Sequence, residues 1–167
     1  LADEMTAEGS EAWAEAVEIA GVLEGRIPIV YGGGPISSAA AQRWKTQINE
    51  NAKVPAWYST FPELDHNEIV SWETMPEMTR EHLGIVVLSD DSDHGRVRNR
   101  MSHTRELTAD AVPWAAEVRS RGRSRLARLV SLTVMGDLVS WALADRLGVD
   151  PMPVGTIEKL KQLLADD

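Results

Sequence analysis

Short apolar runs alternate along this chain with longer segments of helical pattern, and this alternation restricts the fold more than any other feature. The clearest run is GIVVLSD at 84–90, and RIPIVYGGG at 26–34 ends in three glycines. VPAWYS at 54–59 and AVPWAAEV at 111–118 are weaker runs. Strands that alternate with helices pair in parallel, and the helices cover both faces of the sheet. The sequence therefore predicts an α/β fold, a three-layer αβα sandwich with a parallel sheet.

The predicted elements divide the chain into two parts. Residues 1–25 hold one amphipathic helix, with Ser10 as its N-cap, and are predicted to be an N-terminal helix or linker. Residues 26–167 hold the alternating elements and are predicted to be one domain. Its helix at 124–148 is apolar nearly all round from Leu126 to Leu143, so we expect it to be buried in the domain or in an oligomer interface.

Composition excludes several classes of function. The net charge is -9, which argues against nucleic acid as a partner because phosphate backbones are bound by basic faces. The sequence has no Cys, so disulfides, thiolate metal sites and a Cys nucleophile are excluded. We find no signal-peptide pattern and no uninterrupted apolar run of the roughly 18 residues that a membrane span needs. The sequence therefore favours a cytoplasmic protein without a membrane partner.

One polar segment, residues 43–70, carries the candidate catalytic groups. Glu50 lies at the end of a predicted helix between Asn49 and Asn51, where it is either a general base or part of a solvated helix end. His66 opens a short predicted helix and is either a proton donor or a structural, exposed side chain. The residue types alone leave both alternatives open.

Other polar motifs have simpler interpretations. The three glycines at 32–34 either approach a ligand with their N–H groups or form a tight turn that needs positive φ angles. The acidic run at 90–93 fits no calcium or zinc spacing and is interpreted as a loop that caps the next helix. The arginines between 119 and 128 are expected to pair with carboxylates or to lie at a subunit contact rather than to bind a ligand.

Taken together, three stretches resemble a known family. They are RWKTQINENAKVPAWYSTFPELDHNEIVSW at 43–72, IPIVYGGG before it, and DPMPVGTIEKLKQLL near the end. The chain from about 27 to 164 resembles the C-terminal half of the bifunctional phosphoglucose/phosphomannose isomerases, which are members of the sugar isomerase (SIS) superfamily. The resemblance implies a flavodoxin-like SIS domain and a phosphosugar substrate.

The resemblance also implies a reaction and the residues that perform it. The reaction is the reversible conversion of glucose 6-phosphate or mannose 6-phosphate to fructose 6-phosphate through a cis-enediol, without a metal or organic cofactor. Glu50 matches the base that moves a proton between C1 and C2. His66 matches the ring-opening histidine, which in this family reaches the active site of the neighbouring subunit of a homodimer. Lys161 matches the lysine that assists ring opening, although Lys159 lies two positions away.

The chain departs from the family pattern in what it lacks. The Ser/Thr-rich phosphate loops and an arginine that stabilises the enediolate belong to an N-terminal SIS lobe, and no such loop occurs here. We therefore expect a C-terminal fragment that folds but does not isomerise sugars efficiently alone. Two other hypotheses are a SIS module that senses phosphosugars without turnover and a dimerisation domain built on the apolar helix.

Overall fold

The computed structural model describes residues 5–7 and 9–165, which form a parallel sheet covered by helices on both faces. The strands are β1 (Ile27–Gly32), β2 (Trp57–Thr60), β3 (Leu83–Ser89) and β4 (Trp114–Arg119). The α-helices in the described part of the chain are α1 (Glu11–Leu23), α2 (Pro35–Gln47), α3 (Pro76–His82), α4 (Gly95–Thr108), α5 (Arg125–Arg146) and α6 (Gly155–Ala165). A π-helical segment, Ile48–Ala52, continues α2, and two 3₁₀ segments, Glu63–His66 and Glu68–Glu73, follow β2.

The sheet has the order β2-β1-β3-β4, and every neighbouring pair is parallel. The two strong apolar runs of the sequence are the central strands β1 and β3, which are covered on both faces. The two weaker runs are the edge strands, which pair on one side only. The predicted α/β sandwich with a parallel sheet is confirmed.

Each face of the sheet buries its own apolar cluster. On one face α1, α2, the π-helical segment and α5 enclose Trp44, Ile48, Leu132 and Leu143, all fully buried. On the other face the 3₁₀ segments and α4 cover a smaller cluster around Tyr31, which meets Phe61 and Trp114 edge to face. The larger cluster fixes the end of α2, and therefore the position of the residues that follow it.

Helix α1 shares the larger core. Its buried residues are Ala12, Ala16, Ile19, Ala20 and Leu23, and its N-terminus is capped by Ser10 as predicted. Just beyond its end, Glu24 accepts a hydrogen bond at 2.6 Å from Arg146, the last residue of α5. The boundary predicted at residue 25 thus separates segments that share one core, and we place α1 within the domain. Residues 1–4 and 8 of the predicted N-terminal segment lie outside the described residues.

Helix α5 is, among the described residues, long and apolar enough to cross a bilayer by length and composition. One side of it packs against α1 and α2, where Leu132, Met135, Val139 and Leu143 are almost completely buried. The predicted burial of this helix within the domain is confirmed for that side, and it accounts for much of the apolar composition of the helix.

Helix α6 differs from the other helices because it buries none of its described residues. Its apolar side chains Ile157, Leu160, Leu163 and Leu164 are exposed. An amphipathic helix whose apolar side faces water lacks the packing that stabilises helices in proteins. The apolar side of α6 is therefore a surface left uncovered by this chain.

Candidate active site

Glu50 lies on the π-helical segment that ends α2. Its side chain is exposed, and no described side chain hydrogen-bonds to or pairs with its carboxylate. Segments of π-helix are rare and occur often at functional sites, because the wider turn changes the direction of the side chains. The segment here presents this carboxylate just before β2. It lies at the amino edge of the sheet, the side on which the N-terminal ends of the parallel strands lie.

The polar neighbours of Glu50 hold the π-helical segment in place. The side-chain amide of Asn49 donates to the backbone oxygen of Val54 at 2.8 Å, and that of Asn51 donates to Ser140 on α5 at 2.9 Å. Both asparagines therefore have structural roles. Because they are fixed to the core on either side, the carboxylate between them has a defined position.

Lys53 connects this segment to the loop that leads into α6. Its Nζ donates to the backbone oxygen of Glu50 at 2.5 Å and to that of Pro151 at 3.2 Å. Its backbone is left-handed, with φ 58°, which ends the π-helical segment sharply. Sequence reasoning missed both the π-helical segment and this role of Lys53.

A cavity of about 260 Å³ lies between Glu50 and the start of α6. Its walls are Asn49, Glu50, Lys53, Pro153, Val154, Gly155, Thr156 and Ile157. Lys161 lies one helical turn after Ile157, and Lys159 lies one turn after Gly155 and Thr156, so both lysines follow residues of α6 that line the cavity. The cavity does not separate the two lysines, and the choice of Lys161 stays a prediction from the motif.

His66 lies at the carboxyl edge of the sheet, because it follows β2. Its side chain is exposed, and no described residue hydrogen-bonds to its imidazole. The carboxylates of Asp65 and Glu68 lie close to His66 in the sequence but bind elsewhere. Asp65 accepts from Arg100 at 3.0 Å and from Thr104 at 2.9 Å, both on α4. His66 therefore stands on a segment that is fixed to the domain while its own side chain is free.

Glu68 anchors the other side of the His66 segment. It accepts a hydrogen bond at 2.5 Å from the hydroxyl of Tyr31 and another from Ser59. Burial, with the nearby Glu68 carboxylate, raises the pKa of Tyr31 well above its usual range, so the phenol remains a neutral donor. Glu68 is thus hydrogen-bonded to Tyr31 on β1 and to Ser59 on β2.

Glu50 and His66 lie at opposite edges of the sheet. Helix α2 runs back from the carboxyl edge and brings Glu50 to the amino edge, and β2 then carries the chain across the sheet toward His66. A single chain does not bring these two side chains into one cleft. If both act on one sugar, two copies of the chain must supply them.

Ligands commonly bind at the carboxyl edge of a parallel sheet, the side on which the C-terminal ends of the strands lie. In this chain the side chains of Ser37 and Asp93 occupy that edge. The N–H groups of Gly33 and Gly34 donate to the Ser37 hydroxyl at 3.0 and 2.9 Å, and that hydroxyl is 3.2 Å from the Asp93 carboxylate. The φ angles of the glycines at 32–34 are not positive, so the prediction of a tight turn with positive φ angles is wrong. They are required for space, since a Cβ at Gly34 would collide with Asp93.

A second buried carboxylate at this edge pairs with an arginine. Asp90 accepts from Arg128 at 2.9 Å and from Ser120 at 2.6 Å. Burial acts to raise the pKa of Asp90, but the hydrogen bonds from Ser120 and Ser92 and the charge of Arg128 outweigh it and lower the pKa. Burial raises the pKa of the neighbouring Asp93.

The arginine cluster is mainly structural. Besides the pair of Arg128 and Asp90, Arg121 binds Glu15 at 2.7 Å and Arg119 lies 3.3 Å from Asp91. The expectation that these arginines pair with carboxylates is confirmed for these three.

The fold of this chain is also found in a solved structure. A glucose-6-phosphate isomerase like protein from Thermus thermophilus has the same fold, with a TM-score of 0.68 and 24% sequence identity. The match covers 88% of this chain and 46% of that chain. This comparison shows that the chain shares its α/β sandwich fold with that protein.

The sequence comparisons define the family. The family model described as "Bacterial phospho-glucose isomerase C-terminal SIS domain" matches residues 13–164, so the chain belongs to this family. The bifunctional phosphoglucose/phosphomannose isomerase of Aquifex aeolicus (strain VF5) is 40% identical over 147 residues, which are 88% of this chain and 45% of the relative. The protein of that name from Caldicellulosiruptor bescii is 43% identical over 144 residues, 86% of this chain and 42% of the relative. The chain thus spans less than half the length of these relatives.

Proposed function

We propose that this chain is the C-terminal catalytic lobe of an aldose–ketose isomerase that converts glucose 6-phosphate or mannose 6-phosphate to fructose 6-phosphate. The observation that carries the proposal is the carboxylate of Glu50. It is unpaired among the described residues and exposed, and it lies at a cavity on a segment that Asn49 and Asn51 hold in place. A module that only senses phosphosugars has no need for a free carboxylate in a fixed position.

Glu50 acts as the base in this proposal. Its carboxylate takes the proton from C2 of the open-chain aldose and leaves a cis-enediolate. Return of that proton to C1, together with transfer of a proton from the C2 hydroxyl to O1, gives the ketose. Each proton transfer of this kind contributes typically about 10²–10⁴ to the rate. Lys161, which the family motif selects on α6, assists ring opening and contacts the sugar.

His66 opens the sugar ring in the site of a second copy of the chain. The support for this step is the position of His66, exposed and unpartnered among described residues, at the edge of the sheet opposite Glu50. A homodimer supplies Glu50 from one copy and His66 from the other. The protein acts in the cytoplasm, where its phosphosugar substrates are found.

The phosphate of the substrate is held by a part of the protein other than residues 26–167. The carboxyl edge of this sheet is filled by Ser37 and Asp93, so the glycine N–H groups there are not free for a phosphate. The matched relatives are more than twice as long as the aligned segment. We therefore assign phosphate binding to an N-terminal SIS lobe and this chain to the C-terminal lobe.

Solvent exchange tests the proposal directly. The chain, joined to the N-terminal half of a matched relative, is incubated with fructose 6-phosphate in D₂O, and deuterium at C1 is followed by proton NMR. Exchange should fall by at least about 10³ in Glu50→Gln and persist in Glu77→Gln, an exposed glutamate on α3. Equal exchange rates in the two variants would overturn the role of Glu50.

A further inference from the structure

We propose that the cleft between α4 and β4 binds inorganic phosphate, held by Arg98 and Arg105, with Glu117 accepting the hydrogen bond of its P–OH group. The cleft lies on the face of the sheet opposite the larger core, which includes the segment that carries Glu50. The inference goes beyond the proposed function, and neither depends on the other.

A cavity of about 130 Å³ lies between α4 and the edge strand β4. Val87 on β3, Met101 on α4 and Trp114 on β4 form its apolar floor, and the first two are buried. Because a water molecule takes about 30 Å³ of the liquid, the cavity has space for about four waters. A small oxyanion fits this space, and a hexose phosphate, which adds a whole sugar to the phosphate, does not.

Two arginines of α4 line the cavity. Arg98 and Arg105 are seven residues apart, which is two turns or roughly 10 Å along the axis, so they belong to one side of the helix. Ser102 lies between them and also lines the cavity. Guanidinium groups bind oxyanions through paired N–H donors, and a hydroxyl adds a further donor.

The donors of these side chains are largely unused within the chain. The guanidinium of Arg98 donates to the backbone carbonyl of Asp93, which holds it near the start of α4. Arg105 and the hydroxyl of Ser102 have no hydrogen-bond or ion-pair partner among the described residues. Like charges that share a cleft repel each other, so an anion bound between the two arginines is stabilising.

The cleft also contains a carboxylate, and this group selects the anion. Glu117 is the register partner of Val87, lines the same cavity, and pairs with no described arginine. An ionised carboxylate is only an acceptor, so beside an anion site it favours a ligand that carries its own proton. Inorganic phosphate keeps at least one P–OH group near neutral pH, whereas sulfate has none. The cleft therefore favours hydrogen phosphate over sulfate.

The same carboxylate separates free phosphate from phosphate esters. The second pKa of a phosphate monoester is about 6, so at pH 8 an ester is a dianion without a P–OH group. Inorganic phosphate at pH 8 is mainly HPO₄²⁻, which still carries one. The expected ligand is thus free phosphate and not the phosphate group of a sugar substrate.

Titration of the ¹⁵N-labelled chain with sodium phosphate at pH 8, followed by NMR, tests the site. The indole N–H of Trp114, assigned with Trp114→Phe, reports binding at the floor of the cavity. Sodium sulfate and glycerol 3-phosphate are titrated in parallel at equal ionic strength, because salt screens exposed charges. We expect a Kd of about 1 mM for phosphate and binding at least about tenfold weaker for the other two anions.

Variants of the exposed charged groups assign the binding to the cleft. Arg105→Gln should weaken phosphate binding about tenfold or more, whereas Arg96→Gln, on α4 but outside the cavity, should change it less than about twofold. Glu117→Gln can donate to any oxyanion, so the preference for phosphate over sulfate should fall below about threefold. Glu77→Gln on α3 should keep the preference.

Three results would overturn the inference. They are equal binding of phosphate and sulfate by the wild-type chain, a phosphate preference that survives Glu117→Gln, and wild-type affinity in Arg105→Gln. The readout is binding alone, so it does not depend on whether the protein isomerises sugars.

Discussion

Lys53 donates a hydrogen bond at 2.5 Å to the backbone carbonyl of Glu50, the candidate base. The same ammonium group binds the carbonyl of Pro151, in the loop before α6. One side chain therefore fixes both the segment that carries Glu50 and the approach to the helix that carries Lys161.

Removing this connection should impair catalysis more than folding. Lys53→Met loses both hydrogen bonds, so we expect the isomerisation rate of the chain joined to the N-terminal half of a matched relative to fall by about 10–100-fold, because small displacements of catalytic groups are costly. Lys53→Arg should recover part of the rate, and Lys45→Met on α2 serves as the control. Unchanged kcat in Lys53→Met would contradict the role assigned to this residue.

The two lysines of α6 should differ in their effect. Both lysines follow residues of α6 that line the Glu50 cavity, since Lys161 lies one turn after Ile157 and Lys159 one turn after Gly155, and the motif of the family selects Lys161. Lys161→Met should therefore lower kcat/KM by about 10²-fold or more, while Lys159→Met should change it by less than about threefold. Steady-state kinetics of the two variants make the comparison, and a larger loss in Lys159→Met would reverse the assignment.

The two buried carboxylates at the carboxyl edge, Asp90 and Asp93, should contribute to the free energy of unfolding with opposite dependences on pH. The pKa of Asp90 is lowered in the folded protein, so its stabilising contribution is present above its unfolded pKa and is lost as the pH falls through the folded pKa. Asp90→Asn should then cost about 3 kcal/mol at pH 7, because Arg128 loses its partner, and progressively less as the pH falls below the unfolded pKa of the carboxyl.

Asp93 should behave in the other direction. Its pKa is raised, so the folded protein binds a proton more readily than the unfolded chain, and ionised Asp93 destabilises the fold as the pH rises. Asp93→Asn should therefore be tolerated better at pH 7 than at pH 4, relative to the wild type. Urea unfolding of both variants at each pH measures this, and parallel pH profiles for the two would contradict the account.

The packing of Gly34 against Asp93 predicts a cost for a single methyl group. A Cβ at Gly34 collides with the Asp93 carboxylate, so Gly34→Ala should reduce the free energy of unfolding by about 1–3 kcal/mol. Gly155→Ala is the matched control, because nothing lies within 4 Å of its Cβ position, and it should be close to neutral. Equal thermal stability of the two variants would show that the carboxyl edge is less tightly packed than described.

The sequence predicts the sheet well and the details of the site poorly, for physical reasons. β1 and β3 are covered on both faces, so their apolar runs are unbroken, whereas β2 and β4 are edges with mixed patterns. The choice of Glu50 and His66 rests on residue type and the family motif and stays a prediction. The π-helical segment could not be predicted from the sequence, since it depends on tertiary contacts such as the hydrogen bond from Asn51 to Ser140. The constraint on Gly34 likewise comes from Asp93, which is distant in the sequence.

The opposite locations of Glu50 and His66 follow from connectivity and not from local pattern. A helix after β1 must end at the amino edge and a segment after β2 must begin at the carboxyl edge, so a parallel sheet separates the two groups. The resemblance to the family supplied the expectation of a second subunit. The structure adds that the two candidate groups lie at opposite edges of the sheet within one chain.

Complementation between two inactive variants tests the central claim most directly. Glu50→Gln and His66→Ala are each made in the chain joined to its N-terminal lobe, mixed in equal amounts, and allowed to exchange subunits before the isomerase assay. If each site takes Glu50 from one copy and His66 from the other, half of the dimers are mixed and each mixed dimer has one intact site, so activity should return to about one quarter of the wild-type value. Activity that stays at the level of the single variants, after sedimentation has shown that mixed dimers form, would contradict the shared site.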